Sequence, residues 1–209
     1  MATPTRILSF ALAGLAVIAG LCAALLWHNG ASPVDLATGT YLSPARALPD
    51  FSLIDAHGRS FGPKDLKGSW SILFFGYTNC PDFCPTTLST LAALERRLRT
   101  EGAPVRPRVI FVSVDARRDT PQQLGKYVPY FDPEFVGLTG ADQPAIEALA
   151  AKLGVAVVIA PKSDGTYTVD HSGAIFVVNP DGKVAAILSG PFTVEALHAD
   201  FRRIVAGHA

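Results

Sequence analysis

The chain lacks net charge: 18 basic residues balance 18 acidic ones over 209 positions, and no run of like charge stands out. It projects no field that would draw in nucleic acid, so that class of partner is set aside. Internal repeats and low-complexity segments are also lacking. The length accommodates a membrane segment plus one domain of ordinary size. Cysteine is scarce, with three residues at positions 22, 80 and 84. Lysine and arginine are missing altogether between Arg6 and Arg46.

That last gap marks the first feature of the chain. Ile7 to Trp27 is uncharged over about 21 residues, long enough to cross a bilayer. Arg6 precedes it, so the positive-inside rule puts residues 1–6 in the cytoplasm and everything after His28 outside. A cleaved signal peptide is the competing reading, but the apolar run is longer than a usual h-region and lacks a convincing small-x-small cleavage site. A lipid anchor at Cys22 is disfavoured by the bulky Leu21 before it. Residues 7–27 are therefore read as an uncleaved transmembrane signal anchor, with Cys22 an apolar residue within it. The C-terminal domain then lies in the periplasm, held to the bacterial inner membrane by a single pass. Disulfides are permitted there. Residues 28–49, with Gly30, Pro33, Gly39 and Pro44 and little periodicity, are read as a tether, and residues 50–209 as the folded domain.

The domain is organised around one stretch. Ser71-Ile72-Leu73-Phe74-Phe75 reads as a buried strand that breaks at Gly76. Cys80 and Cys84 follow, flanked by Pro81 and Pro85, and then a helix with Leu88, Leu91, Leu94 and Leu98 in one stripe. Both thiols thus fall on a strand-to-helix turn near a helix N-terminus, where the dipole favours thiolate. Thiolate attacks disulfides and also binds soft metals. A pair braced by proline at such a junction is poor material for anonymous core packing, the ordinary fate of free cysteine.

Further along, Asp50–Asp55 and Arg59–Phe61 read as a short hairpin, with His57 exposed in its turn. Arg108–Asp115 is a second apolar strand, parallel to the first because a helix intervenes. Asp115 and Asp119 lie at its carboxyl end, where open α/β sheets place ligands. They are read as ordering the loop around Arg117 and Arg118 rather than as a catalytic pair. Thr120 caps the next helix with Pro121 in its first turn. Gly137–Gly140 is a short extended piece, and Asp142 opens a helix that ends at Gly154. Strands are expected over Val155–Ala160 and Tyr167–His171, joined by a turn at Asp164-Gly165. Ala174–Asn179 and Lys183–Leu188 form an antiparallel hairpin. A final helix starts near Thr193, with His198 and His208 expected at exposed positions.

This order of elements resembles the thioredoxin fold, a central mixed sheet flanked by helices, with an extra segment at about residues 132–160. Gly173 takes the slot where that fold has a cis-proline. The loop there packs beside the cysteine turn, so the resemblance implies that His171 faces Cys80 and Cys84. Two thiolates and one imidazole make a soft-leaning set of three. Cu(I) accepts such a site, and Cu(II) does so with solvent or a further oxygen donor. Structural zinc would recruit a fourth Cys or His that the domain does not convincingly supply.

The residues Gly76-Tyr77-Thr78-Asn79-Cys80-Pro81-Asp82-Phe83-Cys84-Pro85, Val114–Pro121, Gly137-Leu138-Thr139-Gly140 and Asp170-His171-Ser172 are similar to those of the Sco (SenC/PrrC) family. The likeness spans roughly Leu48 to Phe201. Ala116 departs from it, where many members carry proline. The resemblance implies a membrane-anchored copper chaperone, rather than an enzyme, that serves the binuclear copper centre of cytochrome c oxidase. It implies Cys80, Cys84 and His171 as metal ligands, with Asp170 orienting the imidazole or its loop. The implied partners are the copper-site subunit of the oxidase, a periplasmic copper donor and a thiol reductant. The alternative is a thiol-disulfide oxidoreductase or redox sensor that uses Cys80 and Cys84 on the cysteines of that copper site. A peroxide-reducing enzyme on the same fold is a third class, and it would not need His171.

Overall fold

Six consecutive buried residues, Ser71–Gly76, form the strand about which the sheet is laid, β4. The structure is a computed structural model that describes residues 34–208 and, before them, only Gly14, Ala19 and Gly20. The expected span at 7–27 lies outside the described residues apart from those three. Among the described residues no helix is long and apolar enough to cross a membrane.

The strands are β1 (Gly39–Ala47), β2 (Leu53–Asp55), β3 (Ser60–Phe61), β4, β5 (Arg108–Ser113), β6 (Val136–Thr139), β7 (Val157–Pro161), β8 (Tyr167–His171), β9 (Ile175–Val178) and β10 (Lys183–Leu188). Eight form one mixed sheet in the order β1-β10-β9-β4-β5-β6-β2-β3, and β7 and β8 form a separate pair. Strand β4 runs parallel to β5 in register from Ser71↔Arg108 to Gly76↔Ser113, and antiparallel to β9. Flanked on both edges and buried along its length, it needs the continuous apolar run that the sequence supplies.

Helix α1 (Phe83–Thr100) buries Leu88, Leu91, Leu94 and Leu98, the predicted stripe. Each such leucine contributes about 1.5–3 kcal/mol relative to an exposed position. The other helices are α2 (Pro121–Tyr127), α3 (Gln143–Leu153) and α4 (Val194–His208). The Thr120 hydroxyl accepts from Gln123 N at 3.2 Å, as expected of a cap. Gly154 ends α3 with φ +75°, a left-handed conformation that favours glycine. Residues Asp35–Ala209 are a compact unit in themselves.

Two expectations are corrected. The stretch 28–49 is not all tether, because Gly39–Ala47 is an edge strand paired antiparallel with β10. Glycine at 39 reflects close approach rather than flexibility: a Cβ there would stand 2.1 Å from the Ile187 carbonyl oxygen. Pro44 falls where the register shifts between Tyr41 and Arg46, and an edge strand tolerates proline at such an irregularity. Asp200 fastens the preceding residues, accepting from Ala37 N, Thr38 N and the Thr38 hydroxyl at 2.6–2.8 Å. The second correction concerns His198, which is 7% exposed and bonded to Glu101 at 2.8 Å where α4 packs on α1. His57 is exposed, as expected.

Candidate metal centre

Cys80, Cys84 and His171 converge: one ligand atom from each lies within 4.8 Å of the other two. The three come from two places. Cys80 ends the turn that leaves β4, Cys84 stands in the first turn of α1, and His171 is the last residue of β8. Among the described residues this is the metal-competent cluster of His, Cys, Asp and Glu, and no fourth such side chain joins it. Both thiols are free.

Cys84 is fully buried, whereas Cys80 is half-buried. The Cys84 amide donates to Cys80 Sγ at 3.3 Å, the interaction expected where a sulfur faces the open N–H groups of a helix start. Cys84 Sγ itself lies against the backbone of Gly76. A Cβ on Gly76 would come within 3.0 Å of that sulfur and 2.7 Å of Phe111 Cε2. Glycine ends the strand here because the thiol occupies the space a side chain would take. Gly76→Ala is expected to cost about 1–3 kcal/mol through overpacking. Urea denaturation checks this; a variant as stable as the native chain would contradict it.

Burial, reinforced by the neighbouring Cys80 sulfur, pushes the Cys84 thiol well above the ordinary thiol range. This corrects the expectation that the helix N-terminus would favour thiolate at both cysteines. At Cys84 the loss of water outweighs the dipole. In the metal-free protein Cys84 is a neutral thiol, and a cation would have to displace its proton.

His171 is oriented by its own neighbour. Its Nδ1 lies 3.2 Å from the Ser172 carbonyl oxygen, which can only accept, so Nδ1 carries the proton. Nε2 then carries the lone pair, and it accepts from the Cys84 thiol at 3.4 Å. Burial lowers the imidazole pKa, against weaker opposing pulls from Ser172 and Asp170. The ring is therefore neutral at neutral pH, the form that binds metals. Tyr77 and Phe83 meet it edge-on with ring centroids at 5.9 and 6.3 Å. Asp170 does not orient the imidazole as expected. It is exposed, because neighbours along a strand point to opposite faces.

Two further expectations are settled here. The loop at Gly173 does pack on the cysteine turn, since a Cβ there would be 2.3 Å from Phe83 Cζ. Asp115 and Asp119 both order loops, but only partly around the arginines named for them. Asp115 pairs with Arg118, while Arg117 is exposed. Asp119 reaches the cysteine turn: it accepts from Thr78 N at 2.9 Å, the Thr78 hydroxyl at 2.6 Å and the Ser113 hydroxyl at 2.6 Å. Sequence reasoning missed this anchor, which lies 41 positions from Thr78.

The donor set, two sulfurs and one imidazole with Cys84 buried and Cys80 and His171 half-buried, fits a soft or borderline metal ion. Comparison with known proteins agrees with this geometry. The structure is similar to Arabidopsis thaliana ScoI solved with copper bound, at 34% identity and TM-score 0.71, covering 76% of this chain and 97% of that one. It is also similar to BsSco, described as a member of the Sco family of cytochrome c oxidase assembly proteins with a disulfide switch. The identity there is 27% and the TM-score 0.61, over 78% of this chain and 95% of that one. In sequence, the mitochondrial SCO2 homolog of Bos taurus is 36% identical over 205 residues, 97% of this chain and 76% of the relative. The SCO1/SenC family model matches residues 40–206, from the edge strand β1 to the last turns of α4, and the chain belongs to the SCO1/SenC family.

Proposed function

We propose that this chain is a copper chaperone that binds one copper ion through Cys80, Cys84 and His171 and delivers it to the binuclear copper centre of cytochrome c oxidase. The observation that carries the reading is the convergence of two sulfurs and an unprotonated Nε2 on one point. Relatives solved with copper bound support it. Three donors leave the coordination shell open, so an acceptor thiol can enter as one donor leaves. The uncharged run at 7–27, with Arg6 before it, supports a single-pass anchor in the bacterial inner membrane. The domain then works in the periplasm, beside the copper-site subunit of the oxidase, a copper donor and a thiol reductant.

The test is a copper titration of the reduced protein. The native chain is expected to bind one ion, and His171→Ala to weaken binding by about 10- to 100-fold, at least the loss typical of an outer-shell partner. Unchanged stoichiometry and affinity in that variant would end the reading. Because Cys84 holds its proton in the metal-free state, affinity should rise from pH 6 to pH 8. A flat profile would contradict the assignment of Cys84 as a ligand.

A second reading is that the pair acts as a thiol-disulfide oxidoreductase. It is favoured by two free thiols on one turn, of which Cys80 is the more accessible and so the one that a partner disulfide can reach. His171 separates the two. A reductase acting through Cys80 and Cys84 keeps its activity in His171→Ala, whereas copper affinity falls.

A further inference from the structure

The hairpin that carries His171 is a sheet of its own: among the described residues β7 and β8 pair with each other and with no strand of the main sheet. Side chains must therefore hold it against the cysteine turn. Residues at alternate positions of a strand share a face, so Tyr167, Val169 and His171 point one way and Thr168 and Asp170 the other. Val169 is buried and Asp170 exposed, which identifies the first set as the inward face.

Tyr167 is gripped from the loop that follows β5. Its hydroxyl donates to Asp115 Oδ1 at 2.8 Å, and Asp115 is fully buried. The other carboxylate oxygen of Asp115 accepts from Arg118 Nε, and Arg118 Nη1 donates to the Tyr167 carbonyl oxygen at 3.3 Å. The guanidinium carbon lies 4.0 Å from the centroid of the Tyr167 ring and 5.7 Å from that of Tyr77, within cation–π range of both. The Tyr77 ring in turn meets the edge of the His171 imidazole. One arginine thus bridges an aromatic ring on the hairpin and an aromatic ring on the cysteine turn.

We propose that Asp115, Arg118 and Tyr167 form a clasp that sets how closely His171 approaches Cys80 and Cys84. They are positioning residues for the copper site, and the inference rests on the copper reading above for its effect on affinity. With the clasp closed, the imidazole is held at the thiols. With it open, the hairpin keeps Val157, Ile159, Val169 and His171 as inward contacts but loses its hold at Tyr167, and the third donor is free to withdraw while both cysteines stay in place.

The test is a double-mutant cycle on the full-length reduced chain in detergent, with Cu(I) presented against a competing chelator. Tyr167→Ala is expected to lower copper affinity about tenfold, the scale of an outer-shell loss, and Tyr167→Phe by less because the ring under Arg118 remains. In a His171→Ala background, Tyr167→Ala should change affinity by less than about twofold, since residues that act through one another are not additive. An equal loss in both backgrounds, or no loss in either, overturns the proposal. A metal-free arm keeps this apart from the function itself. Nuclear Overhauser contacts between the rings of His171 and Tyr77 should be present in the native chain and weakened in Tyr167→Ala. Undiminished contacts overturn the clasp whether or not the protein takes up copper. A native chain that binds no Cu(I) overturns the copper reading, while the ring contacts still decide the clasp.

Discussion

Cys84→Ser is expected to weaken copper binding severely and to destabilise the fold, whereas Cys80→Ser should weaken binding as severely with little change in stability. Both changes remove a sulfur donor, so each should cost at least about a hundredfold in affinity, the upper end of what outer-shell changes cause. Their stability effects differ because their surroundings differ. Cys84 is fully buried beside Gly76, and a serine there buries a more strongly hydrated hydroxyl whose shorter bond leaves it poorly placed to reach His171 Nε2, which already stands 3.4 Å from the longer-reaching sulfur. An unsatisfied buried hydroxyl costs about 1–3 kcal/mol. Cys80 is half-buried and its serine can reach water. Copper titration and urea denaturation of the two variants measure the two effects separately. Equal stability loss at both positions would contradict the burial argument, and retained copper affinity in either would contradict the ligand assignment.

Asp119→Ala is expected to be the most damaging change outside Cys80, Cys84 and His171. Asp119 is fully buried and accepts three hydrogen bonds that tie the cysteine turn to the end of β5. Removing the carboxylate leaves Thr78 N without its partner and weakens the hold on two hydroxyls, Thr78 keeping only Asn79 Oδ1 at 3.2 Å and Ser113 only the bond it accepts from Asp115 N at 3.0 Å. Each buried group left without a partner costs about 1–3 kcal/mol, less whatever the turn recovers by opening to water. Opening is itself harmful, since Thr78 stands two positions before Cys80. Stability and copper affinity should therefore fall together. Asp119→Asn keeps one acceptor oxygen and should fall between the native chain and the alanine variant in a urea melt. An alanine variant as stable as the native protein would show that the turn holds itself.

The elements that position the site were legible where one periodicity governs them. Strand β4 is a continuous apolar run, and the leucine stripe of α1 has helical spacing. The edge strand β1 was not legible, because Gly39 and Pro44 act locally as breakers and only the nearness of Ile187 shows why glycine is there. His198 was misread for a related reason. Its burial comes from α4 lying on α1, and the sequence of α4 alone does not reveal which polar residue that contact covers. At the site, the two cysteines and the histidine could be identified from their motifs, and the thioredoxin-like order of elements brought them together. That Asp170 would not orient His171 could have been read from strand alternation, which turns the two side chains to opposite faces. The bond from Asp119 to Thr78 had no comparable signal, since it joins two loops that meet only because β4 and β5 are parallel neighbours.

The coordination shell of the bound metal tests the central claim most directly. X-ray absorption at the copper edge of the reduced, singly loaded protein should show two sulfur scatterers and one imidazole nitrogen per ion. One sulfur should be lost in Cys84→Ser, and the imidazole signal in His171→Ala. A shell of nitrogen and oxygen alone, or a sulfur count unchanged by Cys84→Ser, would contradict the account.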